Sequence, residues 1–125
     1  MPETTHTWPT PCSPARRVGG TTVLELRGEI DIRTAPFVAA RLDALTSCPR
    51  PDLVLDLRGT TFIDCAGIGV LCRARNRVLA RHGRLRLVST DPRFPRILRA
   101  VHLADVFDVW TRLPETATGP VAVAG

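Results

Sequence analysis

Leu53-Val54-Leu55-Asp56-Leu57, followed shortly by Thr61-Phe62-Ile63-Asp64-Cys65-Ala66-Gly67-Ile68-Gly69-Val70-Leu71, is the stretch that decides the fold. The first run is almost continuously apolar and bounded by turn signals, which predicts a central, largely buried strand over 52–57. The second brings an acid, a thiol and small residues to the place where a loop becomes a helix. That helix is expected from about Ala66 to His82, with Gly83 as its stop. A helix start carries unpaired N–H groups and the positive pole of the dipole, so any switch or site is expected at Asp64–Gly69.

The flanking chain repeats the alternation. Upstream, Val23–Arg27 alternates as a strand, closed by Gly28–Asp31, and Ala15–Val18 forms a short edge strand turned at Gly19-Gly20. Thr34 is placed to cap a helix with Pro36 in its first turn and Ala35, Val38, Leu42 and Leu45 inward; Pro49 and Pro51 end it. In the second helix Gly67, Leu71, Ala74, Val78 and Leu79 are assigned to the core side, and Arg73, Arg77 and Arg81, spaced by four, to an outward stripe. Leu85–Val88 follows as a strand. Asp91-Pro92 then opens a third helix with Phe94, Ile97, Leu98 and Val101 inward, and Val106–Trp110 is the last strand. After Leu113, the prolines and Gly119 allow one or two helical turns at most. The order β, β, α, β, α, β, α, β predicts an α/β or α+β domain with mostly parallel connections. Residues 1–14, rich in Thr and Pro, are expected to be a disordered tail, 15–118 the folded domain and 119–125 a flexible end.

At 125 residues the chain is one domain, and 44% hydrophobic with 23% charged residues is ordinary for a soluble globular protein. No apolar run suffices to span a membrane and no signal-peptide core is seen, so cytoplasmic residence is expected. Reduced thiols are then expected at Cys12, Cys48, Cys65 and Cys72, whose spacing matches no metal-ligand pattern. The net charge is +5, and all 17 basic residues are arginine. Between Asp64 and Asp91 there is no acid, while Arg73, Arg75, Arg77, Arg81, Arg84 and Arg86 fall there. That predicts a basic surface, either a solvated helix face or one suited to an acidic protein partner. Nucleic acid is disfavoured because no aromatic residue is interleaved with these arginines.

Several chemistries fail at the central stretch. A dinucleotide loop beginning at Gly67-Ile68-Gly69 would need glycine where Cys72 stands, and a tighter strand-to-helix turn than the loop of about six residues or more expected after Leu57. A phosphatase-type Cys65 would need an arginine where Leu71 stands, and His6, His82 and His102 are scattered. A Cys65–Cys72 disulfide would have to bridge a helical rise of about 10 Å, beyond the roughly 7 Å between Cα atoms that a disulfide tolerates. Cys72 reads as a small apolar side chain. At Cys65 the helix end favours a thiolate and the neighbouring Asp64 opposes it, so a redox group and a small filler both stay open. Asp64 reads most simply as a helix cap, and Asp31, directly after a strand, as a cap or loop brace.

Leu26-Arg27-Gly28-Glu29-Ile30-Asp31 and Asp56–Leu71 together resemble the two signatures of STAS domains, the bacterial anti-sigma factor antagonists and the related domains of sulfate transporters. The resemblance runs from about Thr22 to Phe107. It implies a mixed β-sheet of about five strands flanked by about four helices, acting as a binding module without cofactor, metal or enzymatic activity, and with no direct contact to nucleic acid or membrane. In that family the antagonist binds an anti-sigma factor, often a Ser/Thr kinase of the histidine-kinase-like ATPase class, and so frees a sigma factor. The kinase phosphorylates a Ser or Thr directly after the motif Asp, and the added charge of about −1.5 to −2 blocks binding.

Carried onto this sequence, the partner-binding residues are Asp31, Asp64, Cys65, Ala66, Gly67, Gly69 and Arg73, with Cys65 at the phosphoacceptor-equivalent position. Neither Cys65 nor Ala66 has a hydroxyl. The expected function is therefore an anti-sigma factor antagonist that works without the usual phosphorylation. Two alternatives are a solo STAS accessory subunit of a transporter or other signalling complex, and a thiol redox switch at Cys65.

Overall fold

The structure, a computed structural model, describes residues 12–114. The expected tail over most of 1–14, the flexible end and the short helix past Leu113 lie outside the described residues. Within them the order is β1 (Arg16–Val18), β2 (Thr21–Ile30), α1 (Ala35–Leu45), β3 (Asp52–Ile63), α2 (Cys65–Ala80), β4 (Arg84–Val88), α3 (Arg93–Ala100) and β5 (Val109–Trp110). This is the predicted alternation. The strands form one sheet in the order β1-β2-β3-β4-β5. β1 pairs antiparallel with β2 through the Gly19-Gly20 turn, where Gly19 takes φ +64°, and the other three pairings are parallel. Three helices, not four, stand among the described residues.

Strand alternation sorts the sheet into two faces. Leu24, Leu26, Leu53, Leu55, Leu57 and Leu87 point to one side and pack with Val38, Leu42, Ile68, Leu71, Ala74, Phe94 and Leu98 of the helices into the main core. Each such buried aliphatic contributes about 1.5–3 kcal/mol over the exposed state. On the other side Val23, Val54 and Val88 form a smaller cluster under Trp110 and Leu113. Beside it Arg86, 4% exposed, pairs with Asp52 at 2.8 Å and lies over the Trp110 ring.

Several boundaries differ from expectation for identifiable reasons. β3 runs to Ile63 instead of ending at Leu57, because Gly59–Ile63 pair with Arg27–Ile30 across two register shifts. Arg58-Gly59, with its turn composition, belongs to a bulged strand. Burial pushes the Asp56 carboxyl up, but the Arg58 fork (2.8 and 2.9 Å), the Arg58 N–H and Arg16 outweigh it and hold it below its ordinary value. The expected loop before α2 thus shrinks to one residue, and the loop-length argument against a dinucleotide turn falls away; the missing glycine at Cys72 still excludes it.

At the end of α2 the left-handed residue is His82 (φ +59°), not Gly83. Glycine is required at 83 for space, since a Cβ there would collide with the Pro51 carbonyl oxygen. Leu79 (49% exposed) and Val101 (38%) face outward, against expectation. Val101 lies just past α3, whose N-cap is Pro92, although Asp91 still accepts the Arg93 N–H at 2.9 Å. The last strand is reduced to Val109–Trp110, with Phe107 instead buried in the core.

Candidate functional site

The site is built where β2 and β3 end together. Ile30 and Ile63 are in register, so the next residues, Asp31 and Asp64, leave the sheet side by side. The Asp64 N–H still donates to the Ile30 carbonyl at 3.3 Å. Asp64 then caps α2 as predicted: its Oδ1 accepts the Gly67 N–H at 3.0 Å, and its carbonyl accepts the Ile68 N–H at 2.9 Å. Such a cap contributes about 1 kcal/mol.

Asp31 does parallel work for α1. Its Oδ1 accepts the N–H groups of Arg33 (2.9 Å) and Thr34 (3.2 Å), and its carbonyl accepts the Ala35 N–H at 2.7 Å. The Thr34 hydroxyl donates to the Glu29 carbonyl and accepts the Asp31 N–H, so Thr34 braces the loop instead of capping the helix with its side chain. The Arg33 guanidinium beside Asp31 holds its carboxyl below the usual range, against a smaller opposing effect of burial. Both acids are therefore structural anchors of the two loops, as the simplest reading of the sequence had it.

The first turn of α2 has two faces. Inward, Gly67 is buried, and a Cβ there would sit 2.5 Å from the Ile30 carbonyl oxygen and 2.6 Å from Ile63 Cγ1. Ala66 packs against the core beside it. Outward, Cys65, Gly69 and Arg73 recur every four residues and are all exposed. The site residues expected from sequence thus divide by task. Cys65, Gly69 and Arg73 form the accessible stripe, while Asp31, Asp64, Ala66 and Gly67 fix its position. Gly67 cannot touch a partner, because it lies under the helix against β2.

The expected basic surface is not one surface. Arg73 grips both oxygens of Asp43 on α1 (3.0 and 2.9 Å) and holds that carboxyl below its ordinary value. Arg77 donates to the Thr46 hydroxyl at 2.9 Å and to the Asp43 carbonyl at 3.1 Å, and Arg81 reaches the Ser47 carbonyl. The supposed outward stripe therefore fastens α2 to α1. Arg75 turns instead to the Val106 carbonyl, Arg84 toward Asp108, and Arg86 is buried.

Sequence reasoning missed three exposed apolar side chains at this end of the sheet: Ile32 (75% exposed), Phe37 (66%) and Phe62 (51%). Ile32 follows Asp31, Phe37 lies in the first turn of α1, and Phe62 is in register with Glu29. The signal was present, since Phe37 falls off the 35-38-42-45 core face and Ile32 sits among loop residues. These three side chains leave apolar surface in water at the end of the sheet where Asp31 and Asp64 emerge. All four cysteines are free thiols, Cys65 exposed and Cys72 half-buried; burial pushes the Cys12 thiol up. Among the described residues no three His, Cys, Asp or Glu side chains converge as a metal site would require, and no helix is long and apolar enough to cross a membrane.

The model of the STAS domain matches residues 13–116. The anti-sigma-F factor antagonist RsfA of Mycobacterium tuberculosis is 34% identical over 90 residues, covering 70% of each chain. The anti-sigma-B factor antagonist of Bacillus subtilis is 28% identical over 86 residues, covering 69% of this chain and 78% of its own. Among solved structures, an anti-sigma factor antagonist from Mycobacterium paratuberculosis superposes with a TM-score of 0.74 at 23% identity, over 89% of this chain and 95% of that one. With its mixed five-stranded sheet, its Asp64-capped helix and these relatives, the chain belongs to the STAS domain family, among the anti-sigma factor antagonists.

Proposed function

We propose that this protein binds an anti-sigma factor of the histidine-kinase-like ATPase class and thereby frees a sigma factor. The observation that carries the reading is the exposed Cys65–Gly69–Arg73 stripe, held by the Asp64 cap, with Ile32, Phe37 and Phe62 also exposed at the ends of β2 and β3 and the start of α1. Apolar side chains supply the affinity of such a contact, and a pre-formed helix start lowers its ordering cost. The names of the relatives support an anti-sigma factor as the partner. Because Cys65 stands where the family carries its hydroxyl, binding is not switched off by phosphorylation there. The protein works as a permanently competent binder in the cytoplasm, with no catalytic step of its own.

The test is binding to the ATPase anti-sigma factor encoded in the same genome, by calorimetry, before and after incubation with ATP. The wild-type chain is expected to bind equally in both conditions and to carry no phosphate. Cys65→Ser is expected to bind before ATP and, once phosphorylated, to lose about 100-fold in affinity, since a dianion would enter an apolar contact. Phosphate appearing on wild-type Thr60 or Thr61 with loss of binding would overturn the reading of constitutive binding. Failure of every such ATPase to bind would remove the partner class itself.

A further inference from the structure

β3 is a central strand for its first five residues and an edge strand thereafter. β4 accompanies it only from Asp52 to Asp56, whereas β2 stays beside it to Ile63. From Leu57 to Ile63 one side of β3 has no neighbouring strand among the described residues. Peptide groups alternate sides along a strand. Asp64 donates toward β2, so the N–H and C=O of Ile63 point the other way, to the open side. No backbone group among the described residues takes them up. Thr61, the extra residue of the bulge between the Thr60 and Phe62 pairings, lies on the same stretch and is exposed.

Next to this open edge lies a groove of ≈ 220 Å³ between the end of β3 and the start of α3. Leu57, Ile63, Phe94 and Ile97 give it apolar walls, and Thr61 and Arg93 stand at its rim. That volume suits one or two aliphatic side chains. α3 itself carries Arg93, Arg96 and Arg99 and no acidic residue, and the acid that lines the groove, Asp91, lies just before it. Arg93 is paired with Asp91, but Arg96 is exposed and makes no ion pair among the described residues.

We propose that this groove receives an extended, acidic segment of a partner protein, added as a strand along Thr61–Ile63. Its main chain would use the open edge, one apolar side chain would enter between Ile63, Phe94 and Ile97, and its carboxylates would meet Arg96 and the outer face of Arg93. Strand addition of this kind draws affinity from main-chain hydrogen bonds and specificity from a pocket for alternate side chains. A second copy of this chain is disfavoured as the occupant, since two arginine-bearing α3 flanks would be brought together. The inference rests on the chain being a protein-binding module, not on the identity of its partner.

The test uses a labelled peptide of about eight residues alternating Glu or Asp with Val or Leu, a lysine-for-acid counterpart, and a version N-methylated at its central amide. Titration into the full chain is followed by fluorescence anisotropy and by NMR amide shifts. The acidic peptide is expected to bind in the range of about 0.1–1 mM, as suits a short segment that must be ordered. Shifts should centre on Thr61, Phe62, Ile63, Arg93 and Ile97. The lysine counterpart, the N-methylated peptide and the Arg96→Glu variant should each weaken binding by about tenfold. Shifts elsewhere, equal binding of the lysine peptide, indifference to N-methylation (a pocket for small apolar ligands) or no binding near 1 mM would each overturn the proposal. If the anti-sigma factor binds but the peptide does not, this inference falls alone. If the peptide binds as expected and no anti-sigma factor does, the proposed function falls and this inference stands.

Discussion

The two halves of α2 are joined to the rest of the molecule by opposite means. Its first turn closes on the sheet through the absence of side chains: Gly67 lies directly against the Ile30 carbonyl and Ile63, with Ala66 packed beside it. Its later turns are joined to α1 by the longest side chains available, through the Arg73–Asp43, Arg77–Thr46 and Arg81–Ser47 contacts. Small residues give a fixed distance and leave the outer surface of the turn bare. Arginines give reach, but their donors are engaged by groups of α1 and the turn that follows it. The approachable end of the helix is therefore the one with little on it, and the stripe of charge that looks like a binding surface in the sequence works mainly as a fastening.

The sharpest way to break this contrast is at Gly67. Gly67→Val should destabilise the fold by about 3 kcal/mol through overpacking against backbone that cannot yield, read as a lower denaturant midpoint at unchanged slope. If Gly67→Val were as stable as wild type, the first turn would not be held by close approach at all. The corresponding probe of the other half is Thr46, which is fully buried, donates to the Leu42 carbonyl at 2.7 Å and accepts from Arg77. Thr46→Val keeps the shape and removes both bonds, at an expected cost of about 1–2 kcal/mol. Arg73 and Asp43 are more exposed and solvent-screened, so their pairing should matter less to stability than that single hydroxyl.

What the sequence disclosed follows the same division. Element order, the parallel strands and the Asp64 cap were legible because each depends on local chemistry: periodicity, a run of buried aliphatics, an acid before a helix. The partners of Arg73, Arg77 and Arg81 were not, because a guanidinium chooses between water and a neighbouring helix only once the two helices are packed. The second half of β3 was hidden for a related reason. Arg58-Gly59 has turn composition, and only the presence of β2 alongside converts it into a bulged strand. Ile32, Phe37 and Phe62 could have been found by asking which apolar residues fall outside every predicted core face. That question would have singled out these exposed side chains, which counting charges does not.

The smallest expected effect on stability is the one that best separates folding from binding. Gly69 is two residues beyond Gly67 on the same helix, yet a Cβ built there meets nothing within 4 Å. Gly69→Ala should therefore stabilise the protein by about 0.5–1 kcal/mol, because alanine loses less backbone freedom than glycine in a helix. The same methyl would stand midway between Cys65 and Arg73, on the face proposed to meet the partner. There it should cost about tenfold in affinity for the anti-sigma factor, because a close interface has no room for it. A variant more stable and weaker in binding would establish the outer face of the first turn as the contact. A gain in stability with unchanged affinity would move the contact off this stripe, toward Ile32 and Phe37 on the α1 side. A loss of stability would mean that Gly69, like Gly67, is pressed against something, and the division of the first turn into an inner and an outer face would fail.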